Sequence, residues 1–89
     1  MKAVIAVVGL DRVGILAKIS GVCFENSVNV IDVNQTVMQN YFAMTMLVDI
    51  SALNGGFGDF VQTVTEAGSL IGVKVHVMHE DIFNSMHRI

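Results

Sequence analysis

The sequence predicts an α+β domain: a four-stranded antiparallel sheet with two helices on one face, in the chain order β-α-β-β-α-β. Three observations carry this. Apolar residues alternate with a period of two in short runs rich in β-branched residues. Two longer segments instead repeat their apolar residues every third or fourth position, the period of a half-buried helix. Glycine- and asparagine-containing stretches punctuate these segments. With 89 residues the chain is one domain, 1–89, with a core over about 2–79 and a C-terminal tail over 80–89.

The first strand covers residues 3–8, a β-branched run that ends at Gly9. The loop Gly9-Leu10-Asp11-Arg12-Val13-Gly14 follows, with a glycine at each end. Ile15, Leu16, Ile19, Val22 and Cys23 fall in one stripe of a first helix. Asp11 is placed as its N-cap and Glu25-Asn26-Ser27 as its polar end. Residues 28–38 make the second strand. Ile31, Val33 and Val37 share one parity, interrupted by Gln35, and Val30, Asp32, Asn34, Thr36 and Met38 share the other. Gln39-Asn40 turns the chain into a third strand, 41–50, where Phe42, Met44, Met46, Val48 and Ile50 share a face. After the loop around Asn54-Gly55-Gly56, Phe57, Phe60, Val61, Val64, Ala67, Gly68 and Ile71 stripe a second helix over about 57–71. Gly72 stops it. Val73, Val75 and Val77 alternate with Lys74, His76 and Met78 in the fourth strand, and His79 to Ile89 reads as a solvated polar tail.

Composition removes several function classes. A chain that is 53% hydrophobic and 15% charged is not disordered. Five basic residues against eight acidic ones, for a net charge of −3, leave no electrostatic footprint for nucleic acid. No apolar run approaches the ~18 residues of a membrane span. Cys23 is alone, so no intrachain disulfide forms. A free cysteine and the lack of a secretory signal predict a cytoplasmic protein. The mean hydropathy of +0.62 is high for so small a domain and predicts apolar surface buried between subunits, hence a homo-oligomer.

Right-handed crossovers place both helices on one face and give the strand order 4-1-3-2, the ferredoxin-like arrangement. In that setting the loop Gly9-Leu10-Asp11-Arg12-Val13-Gly14-Ile15, together with Asn29-Val30 opening the second strand, resembles an ACT domain. The likeness covers about residues 2–79 and is closest to the small stand-alone ACT proteins related to the glycine-cleavage repressor. The tail from Glu80 to Ile89 resembles the ending of that group. The resemblance implies a regulatory module that binds an amino acid or a related metabolite. It further implies a site at a homodimer interface, where Asn29, Val30 and Ile31 of one subunit face the glycine loop of the other. Dimers of this family pair the second strands into an eight-stranded sheet with all helices on one side.

The residues suit such a ligand in their own right. A loop that enters a helix N-terminus offers free N–H groups and the positive dipole end to a carboxylate. Gly9 and Gly14 admit close approach to the backbone, and Asp11 is the partner for an α-ammonium group. The candidate ligand-binding set is therefore Gly9, Leu10, Asp11, Arg12, Val13, Gly14, Ile15, Asn29, Val30 and Ile31. The competing structural reading is a tight turn at the glycines and a helix cap at Asp11.

No other constellation carries chemistry. His76, His79, Glu80, Asp81 and His87 are zinc or nickel ligand types, but positions 76 and 79 of a strand point to opposite faces, so no metal site is expected. Cys23 lies on the buried helix stripe, and Ser20, Ser27 and Thr36 have no histidine at suggestive spacing. Neither a catalytic residue nor a cofactor is expected, and the protein is read as a non-enzyme. Phe24, Ala17 and Leu70 fall off the helix stripes and are expected as isolated exposed residues. The alternative function is a ligand-independent interaction subunit that docks on an enzyme or a transcription regulator through its sheet edge or tail.

Overall fold

The computed structural model describes residues 1–10 and 13–86, and the side chains of these residues up to Ser85. The elements are β1 (Lys2–Leu10), α1 (Ile15–Glu25), β2 (Asn29–Met38), β3 (Tyr41–Asp49), α2 (Phe57–Leu70), β4 (Val73–His79) and α3 (Glu80–Met86). The sheet order is β2-β3-β1-β4, and every pair is antiparallel. This is the ferredoxin-like sheet expected from the sequence. β1 occupies an inner position and runs longer than the apolar run suggests, because Gly9 still pairs with Phe42 and Val73, and Leu10 with Tyr41.

One face of the sheet and the two long helices enclose the core. Ala3, Ile5 and Val7 from β1, Phe42, Met44, Met46 and Val48 from β3, and Val73 and Val75 from β4 are all buried there. Ile15, Ile19, Val22 and Cys23 of α1 and Phe60, Val64, Ala67 and Gly68 of α2 close it from the helix side. These are the two stripes that the 3.6-residue period identifies. Gly72, at φ 79°, ends α2 as a C′ glycine. At the far end of α1, Asn26 Nδ2 donates to Val22 O at 2.8 Å and Ser27 turns the chain at φ 61°.

Three sequence expectations change. In β2, the pairing steps from Val30↔Val48 to Asp32↔Leu47, so Ile31 is an extra residue in a bulge. The bulge resets the parity. Val30 joins Val33 on the helix-facing side, and both pack against the core, while Ile31 is exposed. The N-cap of α1 is Gly14, not Asp11, and among the described residues no side chain caps the helix. The helix starts three residues later than an Asp11 cap requires. The tail is not a solvated coil either: residues 80–86 form α3, which packs against β1 and β4.

α3 accounts for a burial that the open sheet does not. Val4 alternates onto the face away from α1 and α2, in register with Leu47 and Met78, yet only 3% of it is exposed. α3 therefore covers the end of that face where β1 begins. Nearby, the N-terminal amine donates to Ser51 Oγ at 2.8 Å and lies 3.8 Å from Asp49 Oδ1. Hydrogen bonding by Ser51, through its hydroxyl and its N–H, holds the Asp49 carboxyl below its ordinary pKa.

Helix α2 sits close on β4 because position 68 has no side chain. A Cβ there would lie 2.4 Å from Val75 Cγ2. Gly68→Ala is expected to destabilise the fold by about 1–3 kcal/mol, against its helix propensity. Gly21→Ala, in α1 with nothing within 4 Å of the added carbon, is expected to gain about 0.5–1 kcal/mol. Urea unfolding of the two variants checks this opposition of sign.

Candidate functional site

The candidate site grows from the end of β1 and the start of α1. Gly14 adopts φ 89° and ψ 5°, a left-handed conformation that an L side chain rarely enters, with open space where a Cβ would stand. This geometry swings the chain from the strand into the helix. The first intrahelical bond runs from Lys18 N–H to Gly14 O at 2.9 Å. The N–H groups of Ile15, Leu16 and Ala17 precede it, and among the described residues no side chain caps them. They lie at the positive end of an 11-residue helix. Carboxylates and phosphates are favoured there.

Each expected site residue has a definite place where the structure describes it. Gly9 is half-buried in β1. A Cβ on it would stand 2.7 Å from Val73 Cγ1 and 3.1 Å from Val73 Cα, so its glycine identity follows from packing against β4. Leu10 alternates onto the face away from α1 and α2, beside Tyr41. Val13 and Gly14 are exposed, whereas Ile15 is buried in the core. Asp11 and Arg12 lie outside the described residues.

Asn29, Val30 and Ile31 sit at the opposite end of the sheet. Asn29 and Lys2 both pair with Asp49, whereas Leu10 and Met38 both pair with Tyr41. From Lys2 to Leu10 the strand rises about 27 Å. Within one protomer the two halves of the candidate site are therefore apart.

Two residues outside the expected site set share the loop's end of the sheet, and both keep the parity of Val33. Beyond the bulge, Gln35 and Val37 face the helix side of β2, paired with Met44 and Phe42. Both are exposed although their partners are buried. β2 is an edge strand, and α1 packs against it. A polar residue interrupting an apolar parity was the available sequence signal.

The remaining candidates separate. His79 stacks on Phe57, with ring centroids 4.3 Å apart and planes at 27°. His76 lies on the other face of β4, exposed. Among the described residues, no three histidine, cysteine or acidic side chains are grouped to hold a metal. Burial pushes the Cys23 thiol up to about 11, which leaves it protonated and unreactive at neutral pH. Phe24 and Leu70 are exposed on the helix layer. Of two open clefts, one, lined by Met1, Lys2, His79, Glu80 and Asp81, lies at the opposite end of the sheet from the loop, and the other is lined by Thr65, Ser69 and residues 73–76 between α2 and β4. No described helix is long and apolar enough to cross a membrane.

Comparison with known proteins converges on this architecture. A family model described as ACT domain matches residues 2–78. A UPF0237 protein of Methanocaldococcus jannaschii is 50% identical over 88 residues, which is 99% of this chain and 98% of that relative. An ACT domain protein from Streptococcus pneumoniae superposes with a TM-score of 0.81 at 36% identity, over 98% of both chains. A structure assigned as a glycine cleavage system transcriptional repressor shares the fold, with a TM-score of 0.68 at 23% identity over 85% of this chain and 43% of that one.

The contact of Gly9 with Val73 is measurable by itself. Gly9→Ala is expected to cost about 1–3 kcal/mol of stability. Combined with Val73→Ala, the loss should fall short of the sum of the two single losses, a coupling of at least about 0.5 kcal/mol in a double-mutant cycle. Additive losses would show that Gly9 is not held by this contact.

Proposed function

This chain belongs to the ACT domain family, a family of regulatory modules, and from that premise we propose that it is a metabolite sensor whose site is completed by a second copy. The ligand is an amino acid or a close relative. Its carboxylate sits on the N–H groups at the start of α1, and its ammonium pairs with Asp11. Gly9, Leu10, Arg12, Val13, Gly14 and Ile15 make up the rest of that loop and helix entry. Asn29, Val30 and Ile31 come from the second copy. No catalytic step is involved.

One observation carries this reading. β2 is an edge strand, and its whole described length from Asn29 to Met38 is fully or partly exposed. An edge of ten residues with unpaired backbone groups is a template for another strand. Antiparallel pairing of β2 with itself, centred on its middle, brings the partner's first residues beside Met38. That is the end of the sheet where Gly14 turns into α1. The separation of about 27 Å within one protomer is removed by the two-fold axis. Gln35 and Val37, exposed on the helix side at that end, line the same space for the ligand's side chain. The resulting sheet has eight strands and all long helices on one side.

Binding of a ligand between two subunits stabilises the pair relative to the separate chains, and this differential affinity is what a regulatory module needs. The module acts by biasing its own assembly or a partner protein, in the reducing cytoplasm where Cys23 stays a buried thiol.

A thermal-shift screen against the common amino acids tests the reading. At 100 times its Kd, a bound ligand adds about 2.7 kcal/mol. In a domain of this size that is a rise of about 10–20 °C in Tm. Asp11→Ala should abolish the shift and leave the Tm of the free protein unchanged. No shift with any amino acid, or a shift that survives in both Asp11→Ala and Gly14→Val, would contradict the site.

A further inference from the structure

The face of the sheet away from α1 and α2 is half covered and half bare. α3 lies over the half where β1 begins, as the 3% exposure of Val4 shows. At the other half Val8, Leu10, Met38 and Tyr41 are 54%, 50%, 65% and 59% exposed. Register gathers them: Leu10, Tyr41 and Met38 form one row across β1, β3 and β2, and Val8 lies one row below. Together they expose about 400 Å² of apolar surface, the size of the largest such patch on a typical monomer. Lys74, in register with Val8, stands at its flank.

We propose that this patch is the seat for α3 of another copy, so that two eight-stranded sheets stack face to face as a tetramer. The inference rests on the edge-paired dimer proposed above. In that dimer the two patches lie at opposite strand ends, and so do the two α3 helices. Each half-sheet carries its patch at one end and its helix at the other. Stacking a second dimer about either two-fold axis lying between the sheets places every patch opposite an α3. Ridge meets hollow at all four positions, whichever axis is used.

The chemistry of the two surfaces matches. α3 presents Ile82, 53% exposed, as an apolar contact for the patch. Its first turn carries Glu80 and Asp81, opposite in charge to Lys74. Size agrees as well. One patch is too small for a stable interface, but two act together in each dimer and offer about 800 Å², the contribution of one partner to a standard interface. The single chain exposes 5751 Å², where a compact monomer of 9.6 kDa exposes about 5,100 Å². The surplus has the magnitude that subunit contacts remove.

Light scattering on the full chain and on Tyr41→Asp tests this, with circular dichroism as the check that both are folded. A tetramer that falls to a dimer in Tyr41→Asp supports the stacked arrangement. Lys74→Glu should weaken the tetramer as well, and Lys74→Glu combined with Asp81→Lys should restore it, a rescue that misfolding cannot mimic. A tetramer indifferent to Tyr41→Asp overturns the proposal, and so does a wild-type dimer indifferent to it, although that dimer leaves the edge pairing intact. A wild-type dimer that becomes a monomer in Tyr41→Asp, or a wild-type monomer, overturns the edge pairing and the stack with it.

Discussion

Val73 is held between two positions that carry no side chain, and the placement of the loop follows from that contact. A Cβ at Gly9 would lie 2.7 Å from Val73 Cγ1, and one at Gly68 would lie 3.3 Å from Val73 Cγ2 and 2.4 Å from Val75 Cγ2. β4 is an edge strand that pairs only with β1 and is covered by α2. Any added methyl would push β1 or α2 away from it. Glycine in a strand or helix interior costs about 0.5–1 kcal/mol relative to alanine. The close packing offsets that cost. The same contact anchors the last residues of β1, so the point where the chain leaves the sheet for Gly14 and α1 is set by packing on the far side of the domain.

What could be read from the sequence was whatever depends on periodicity. The stripes of α1 and α2 and the alternation of β3 follow from spacing, because a wrong period would expose core residues such as Ile19 or Met46, and the order of the strands follows from the handedness of the crossovers. Features that depend on one extra residue, or on a contact distant in sequence, were not legible. The bulge at Ile31 shifts the parity of β2, and nothing local announces it. Gly9 reads equally well as a ligand-facing glycine or a packed one until Val73, 64 positions later, is seen against it. Residues 80–86 lack the length for a periodic signal, and α3 exists through its packing on β1 and β4. Gly14 displaced Asp11 as the N-cap because a left-handed residue ends the loop just before Ile15.

The division of the domain into two ends gives the family resemblance a physical form. One end of the sheet carries the turn at Gly14, the N-terminus of α1, and Gln35 and Val37 on the helix side. The other carries Asn29, the N-terminal amine, Asp49 and α3. Neither end alone offers both a carboxylate seat and an enclosing wall. In the proposed dimer, an antiparallel contact along β2 joins unlike ends and turns two incomplete half-sites into two complete ones. Regulation by that proposed dimer would follow from this incompleteness: a ligand that needs residues from two chains is bound only by their assembly.

Residue-resolved hydrogen exchange along β2 tests this dependence most directly. In a lone domain, alternate amides of β2 point to solvent and exchange fast, while the others are bonded to β3. In the edge-paired dimer both sets are bonded. The outward-pointing amides between Val33 and Val37 are expected to exchange as slowly as their β3-bonded neighbours, and more slowly still with the bound amino acid present. Fast exchange at alternate residues of β2, unchanged by any amino acid, would contradict it.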